Sequence, residues 1–331
     1  MGELLVLGGT AWLGREVARV AVERGHRVTC LARGEAGAVA PGVTLLTADR
    51  SQPGAYDGAT ARDWDAVVDV SWQPEQVRGA VTALGPRSAH WTYVSSCSVY
   101  ATHDTPGADE DAPLLAALAD DVPATGETYG EAKVACEAAV LSAVGDRALL
   151  ARAGLIGGPG DPSDRYGYWV SRFALAGDGP VLVPDADDQP TQTIDVRDLA
   201  AWLVTAGEVG TTGPVNCVGE RQRLGDLLDA ANTVAGGRAR RLAADPQWLQ
   251  DNDVTGWAGP RSLPLWLPWA DHAGFGARSD ARAMQSGLTR RPRDQTLADT
   301  LADERRRGLD RERAAGLSRG DELLLLEALQ H

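Results

Sequence analysis

Tyr129 and Lys133 stand four residues apart in the run Tyr129-Gly130-Glu131-Ala132-Lys133. On a helix that spacing puts both side chains on one face. A phenol beside an ammonium can give up a proton and take it back. The lysine is the only one in the chain, against 31 arginines. A guanidinium is planar and permanently charged, whereas lysine is a compact charge on a flexible stem. A chain this biased keeps one lysine where arginine does not serve. Free tyrosine titrates near pH 10, and lowering that by ~2–3 units takes roughly 3–4 kcal/mol of preferential phenolate stabilisation. Neighbouring positive charges in a low-dielectric site supply energy of that order.

Two further constellations could act with this pair. Ser95-Ser96-Cys97-Ser98-Val99-Tyr100 closes an apolar run that reads as a strand. A hydroxyl at a strand's carboxyl end can hydrogen-bond a carbonyl or alcohol oxygen. Gly8-Gly9-Thr10-Ala11-Trp12-Leu13-Gly14 lies between the first predicted strand and the first predicted helix. Backbone N–H groups and the positive helix end at such a junction favour a pyrophosphate. Gly8, Thr10, Ala11, Trp12, Leu13 and Gly14 are therefore expected to hold a dinucleotide. The second strand ends Leu31-Ala32-Arg33, with Ala32 where an acidic residue would hold a ribose 2′-hydroxyl. Arg33, helped by Arg15, suits a 2′-phosphate instead, so NADP is expected and NAD is less favoured. Asp49 is expected to accept a hydrogen bond from the adenine amine, and Ser71 is expected beside the cofactor.

These residues need a scaffold that brings strand ends together. Strands are predicted at 4–7, 28–31, 43–47, 66–70, 91–95 and 148–152. Helices are predicted at 15–24, 76–84 and 127–143. Such alternation implies an α/β fold, a Rossmann-type doubly wound parallel sheet with a smaller C-terminal substrate domain. The cofactor domain is expected to span 1–155 plus about 191–217, and the substrate domain about 156–190 and 218–331. In the second half, a glycine/proline loop at 157–162 precedes a helix at 166–176. A strand at 191–194 then leads into a helix at 196–206. Helices at 296–307 and 320–330 close the chain. The charges at 303–313 are expected on a solvated helix face. The stretch 257–269, rich in Trp, Pro and Leu, yields no clear element.

Composition narrows the partners. Apolar residues make up 44% of the chain, enough for a sizeable core. The net charge of −14 argues against nucleic acid and anionic membrane, both of which need a basic footprint. No signal peptide or membrane-length apolar run is read. Cys30, Cys97, Cys136 and Cys217 are scattered without a CxxC motif, as expected of free thiols in a bacterial cytoplasm. No metal is expected. A homodimer is the assembly considered.

Together the motifs resemble the short-chain dehydrogenase/reductase superfamily, in its extended NAD-dependent epimerase/dehydratase-like branch. The likeness extends to Arg152, to Gly157-Gly158-Pro159-Gly160 and to Ile194-Asp195-Val196-Arg197-Asp198-Leu199-Ala200. It implies that Tyr129 is the general acid/base and that Lys133 holds the nicotinamide ribose and depresses the Tyr129 pKa. It implies that Ser96 orients the substrate oxygen, and that 153–156, including Ala153 and Ile156, line the nicotinamide. The substrate side would come from 161–172 and 191–197. One departure is Ala11, where the branch usually has glycine. The added methyl bears on cofactor affinity.

The leading expectation is NADP(H)-dependent hydride transfer to or from a carbonyl or alcohol carbon, of ketoreductase type. The substrate would be small, sugar-like or a secondary metabolite. The alternatives are a sugar-nucleotide epimerase and a non-catalytic cofactor-binding module. A 4,6-dehydratase is less favoured, because Cys97-Ser98 replace its Asp-Glu pair. A catalytic Cys97 is disfavoured because it stands one residue out of place. Cys97, Arg165, Tyr168, Trp169 and Arg172 join Ser96 as expected substrate contacts. Arg165 or Arg172 would meet an anionic or hydroxylated substrate.

Overall fold

A computed structural model describes residues 2–268 and 270–330. The first half runs β1 (Glu3–Leu7), α1 (Trp12–Glu23), β2 (Arg27–Ala32), β3 (Thr44–Thr47), β4 (Trp64–Asp69), α2 (Pro74–Leu84), β5 (Ser88–Ser96), α3 (Tyr129–Val144) and β6 (Ala148–Ala153). The strands lie parallel in the order β6-β5-β4-β1-β2-β3. Leu4, Leu5, Val6 and Leu7 are all buried. A continuous apolar run of this kind is what a strand covered on both faces requires. Register aligns Leu7 with Leu31 and with Asp69, and Ser96 with Ala153. The carboxyl ends that carry the motifs therefore share one edge of the sheet. The order reverses beside β1, and ligands of open α/β sheets bind at such a reversal.

The chain continues through β7 (Leu155–Gly157), α4 (Arg165–Ala176), β8 (Pro180–Pro184), β9 (Pro190–Thr191), β10 (Thr193–Asp195), α5 (Val196–Val209) and β11 (Gly213–Cys217). β11 joins the sheet beside β6, so the described residues form a seven-stranded parallel sheet. Helices α1 and α5 pack together on one face, and α2 and α3 on the other. The single strand expected at 191–194 is two strands. β9 and β10 part at Gln192, whose amide donates to Gly219 O (3.1 Å) and Arg278 O (3.0 Å) and accepts from Arg278 N (2.8 Å). β9 pairs with Gln222–Arg223 and β10 with β7, so the two strands belong to different ladders.

The remainder comprises β12 (Gln222–Arg223), α6 (Leu224–Ala235), β13 (Arg240–Ala244), α7 (Pro246–Asp251), β14 (Thr255–Trp257), β15 (Ser262–Pro264), α8 (Ala281–Gln285), α9 (Arg293–Arg307) and α10 (Arg319–Ala328). Helices α4, α6, α9 and α10 gather with the parallel pair β8/β13 around Tyr168, Trp169, Phe173 and Trp266. The stretch 257–269 holds the end of β14, all of β15 and the buried Trp266; Trp269 lies outside the described residues.

The charges at 303–313 are only partly a solvated face. Arg306 and its partner Asp303 match that expectation on the Arg306 side, where the side chain is 69% exposed. Glu304, by contrast, is buried and takes Arg307 (3.0 Å), Arg311 (3.2 Å) and Arg313 (2.8 Å). Asp164, also buried, accepts from Arg307, Arg311 and the Ala314 amide. The network ties the segment after α9 to the start of α4. Arg307 and Arg311 keep Asp164 and some water, but Arg313 is nearly buried, and breaking a buried pair costs about 3–5 kcal/mol. Glu304→Ala is therefore expected to lower stability in urea denaturation by that order. Arg306→Ala should stay within about 0.5 kcal/mol.

Candidate active site

The carboxyl edge of the sheet opens into a cavity of about 500 Å³ that reaches from the glycine loop to Tyr129 and Lys133 and on to the aromatic segment near Trp257. At its cofactor end, Gly8 has φ +96°, a conformation that side chains rarely adopt. A Cβ on Gly14 would lie 2.4 Å from Gly8 O, so α1 can press onto the loop only without one. The loop then delivers Ala11, exposed, as the N-cap of α1. No side chain caps this helix, and its first turn carries no acidic residue. The first-turn amides are thus open to an anion. Ala11, Trp12, Leu13 and Gly14 line the cavity, and Trp12 Nε1 donates to Pro159 O at 2.9 Å across it. Thr10 is buried beneath the loop.

Arg33 is exposed just past β2, with its Nε 3.2 Å from Glu35. Asp49 lies past β3, where its Oδ1 accepts from Ser51 N (2.9 Å) and Ser51 Oγ (2.8 Å). These bonds hold its carboxyl below the usual range. Ala153 and Ile156 line the cavity on the opposite wall.

Lys133 is buried, and its Nζ donates to Val94 O (2.6 Å) and Ser71 O (3.2 Å). The ammonium also lies 4.8 Å from the Tyr93 ring centre and 5.9 Å from that of Tyr129. Burial pushes its pKa down to about 8. Ser71 thus contributes its carbonyl, while its hydroxyl donates to Gln76 (2.8 Å). Tyr129 opens α3, its ring 5.6 Å from that of Trp72. Burial raises its phenol above the ordinary value, while a hydrogen bond with the Ser96 side chain and the nearby Arg165 charge draw it back. Ser96 ends β5 and caps the following turn, its Oγ accepting from Ser98 N at 3.1 Å. Gly130 makes the meeting possible: a Cβ there would lie 2.5 Å from Ser98 O. Ser96, Tyr129 and Lys133 therefore line one cavity.

The substrate side differs from expectation in three of its residues. Tyr168, Trp169 and Arg172 face the C-terminal core, and none of them lines the cavity. Trp169 Nε1 donates to Pro264 O (2.8 Å), and Arg172 pairs with Glu322 (3.1 Å) and donates to Leu317 O. The four positions 165, 168, 169 and 172 form one stripe of α4. That stripe runs into the core, and only its first residue, Arg165, emerges at the cavity. Cys97 lines the wall, but its thiol donates to Arg152 O (3.4 Å) and burial pushes it up to about 12. Such a thiol is not a nucleophile.

Sequence reasoning missed the far wall, made by Trp257, Leu265, Leu267 and Phe275, whereas Gln192 beside it lies within the expected 191–197. Its one signal was the density of aromatic and proline residues from 257 onward. Trp257 (φ +66°) and Leu265 (φ +71°) hold left-handed backbone, which costs about 1–3 kcal/mol each. Strained positions of this kind gather at binding sites.

The residues present fit a dinucleotide: uncapped amides at the loop, and an ammonium further along the same cavity. Known proteins agree. The chain is 28% identical over 265 residues to the dTDP-4-dehydrorhamnose reductase of Streptomyces griseus, covering 78% of this chain and 83% of that protein. It is also 28% identical over 257 residues to the chloroplast stem-loop binding protein of 41 kDa b of Arabidopsis thaliana. That match covers 71% of this chain and only 63% of the plant protein. The Bordetella bronchiseptica enzyme WbmG, solved in complex with NAD, shares the fold at a TM-score of 0.67. Its identity is 16%, over 93% of this chain and 95% of that one. The model of the NAD dependent epimerase/dehydratase family matches residues 4–218, from the first strand of the sheet to the last. The chain is an enzyme of that family, whose members work with a nicotinamide cofactor.

Proposed function

We propose that this enzyme is an NADP(H)-dependent oxidoreductase of ketoreductase type, reducing a carbonyl carbon of a small molecule or running the reverse reaction. The observation that carries the reading is the placement of the Ser96 and Tyr129 hydroxyls in one cavity with the Lys133 ammonium behind them. The cofactor, when bound, supplies the hydride. Ser96 Oγ donates a hydrogen bond to the carbonyl oxygen and orients it. Tyr129, held protonated by burial, delivers its proton to that oxygen as negative charge develops there. The phenolate so formed faces the Lys133 charge. The Lys133 Nζ lies 5.9 Å from the Tyr129 ring centre, and attraction between opposite charges favours the phenolate. The Trp72 ring beside Tyr129 limits the water that could compete for the proton.

Net reduction is favoured over epimerisation by the cofactor side. The end of β2 offers Ala32 and Arg33 in place of a carboxylate for the ribose, and Arg15 pairs with no carboxylate among the described residues. An exchangeable phosphorylated cofactor suits a reductase, whereas an epimerase recycles what it holds. Similarity to a dehydrorhamnose reductase points the same way. The epimerase alternative makes a separate demand: interconversion of a sugar nucleotide with no net cofactor consumed.

Fluorescence titration is expected to show tighter binding of NADPH than of NADH, with Arg33→Ala narrowing the gap by roughly tenfold, or 1.4 kcal/mol. A preference for NADH would remove the assignment of Arg33. Tyr129→Phe should lower kcat by roughly 10²–10⁴-fold while the melting temperature stays near that of the parent. Unchanged turnover would overturn the role of Tyr129. Lys133 loses its charge as pH rises through about 8, so kcat/KM for reduction should fall above that pH. Lys133→Met should be slow throughout and lack the break.

A further inference from the structure

Arg165 is the one cation on the substrate side of the cavity. Among the described residues that line it, only Lys133, Asp161 and Arg165 carry formal charge, and Lys133 belongs to the catalytic set. The Arg165 guanidinium lies 4.8 Å over the Trp257 ring, and its Nε donates to Ser163 Oγ at 3.2 Å. Stacking fixes its plane without using its donors. Neither Nη group hydrogen-bonds to a described residue, and no described carboxylate lies within ion-pair distance. A planar guanidinium in this state presents a fork matched to two anionic oxygens.

The groups facing it set the sign. Tyr129 feels the Arg165 charge, so the fork lies within electrostatic reach of the proton donor. Asp161 is the facing carboxylate. It is buried, its Oδ1 accepts from Ser163 N at 2.8 Å, and its Oδ2 finds no hydrogen-bond partner. Most of the surrounding wall is apolar, from Pro162, Pro190, Trp257, Leu265, Leu267 and Phe275; Ser163, Thr191 and Gln192 add polar groups, and the Gln192 amide is already bonded to Gly219 and Arg278. A nucleoside diphosphate brings two or more negative charges into this wall against a single cation, and desolvating the surplus charge is costly. It would also share about 500 Å³ with the cofactor end. A single carboxylate on an aromatic or aliphatic body fits both the charge and the walls.

We propose that Arg165 is a specificity-determining residue that receives the carboxylate of a small oxo or hydroxy acid whose apolar body packs on Trp257 and Phe275. The proposal rests on the carbonyl-chemistry reading of the cavity but is tested by binding, without turnover. Benzoylformate, 3-benzoylpropionate, their methyl esters and UDP-glucose would be titrated against the full chain by calorimetry and tryptophan fluorescence. At least one acid should bind tenfold or more tighter than its ester. Arg165→Gln should erase that ratio, Arg165→Lys should keep part of it, and Asp161→Asn should widen it by removing the facing charge. The wild-type ratio alone serves if a variant fails to fold. Equal binding of acids and esters overturns the proposal, as does a ratio untouched in folded Arg165→Gln. Tight UDP-glucose binding that depends on Arg165 also overturns it, with a diphosphate as the occupant. Dependence of turnover on NADPH and Tyr129 is a separate readout, so either reading can fail while the other stands.

Discussion

The dehydrated ammonium of Lys133 sets the positions of much of the structure. A charge taken out of water must find new donors of negative potential, and here these are two backbone carbonyls and an aromatic face. Val94 O belongs to the end of β5, and Ser71 O to the turn after β4. Both strands must therefore end at the same level, which the parallel register provides. The Ser71 turn is itself held from below. Asp69 accepts from Ser71 N (3.0 Å) and pairs with both terminal nitrogens of Arg50 at 2.7 Å. Arg50 also donates to Gln76 O at the start of α2. A buried ion pair thus fixes a carbonyl, the carbonyl fixes an ammonium, and the ammonium lies beside the Tyr129 ring.

The other half of the cavity depends on a different kind of constraint. Its walls come from segments with little regular structure, and these are anchored by side chains that bond to backbone. Gln192 holds Gly219 and Arg278, and Trp169 holds Pro264. The buried Asp164 and Glu304 gather three arginines between the start of α4 and the end of α9. Arg165 follows Asp164 directly, so the network that secures the helix start also sets where the fork emerges. The aromatic core around Trp169 and Trp266 supplies the bulk of the packing beneath.

The sheet and the meeting of Ser96, Tyr129 and Lys133 in one cavity were legible because their signals are local. Apolar runs, the glycine loop and the four-residue spacing of Tyr129 and Lys133 each report on a few adjacent residues. Arg165 was legible as a charge near the right loop, but Tyr168, Trp169 and Arg172 were misread with it. A helix stripe shows which residues share a face; it does not show what that face meets. Likewise the charges at 303–313 look solvated from their sequence, and only the return of α4 brings Asp164 to Glu304. The far wall of Trp257, Leu265 and Phe275 depends on left-handed backbone at non-glycine residues, for which sequence carries no rule. Gly130 was visible throughout, yet its meaning needed the approach of Ser98.

The solitary lysine has a chemical consequence for the surface. Every other basic side chain that is not histidine is a guanidinium, so no described side chain outside this cavity offers a primary amine. Apart from any α-amino group, acylating reagents and amine-directed cross-linkers meet guanidinium, carboxylate and hydroxyl side chains on the described exterior. For such a reagent to reach a lysine, the packing around Lys133 in the cavity has to open. The native enzyme therefore carries a built-in reporter: the accessibility of its lone ε-amine reads the integrity of the site, with no other lysine to obscure it.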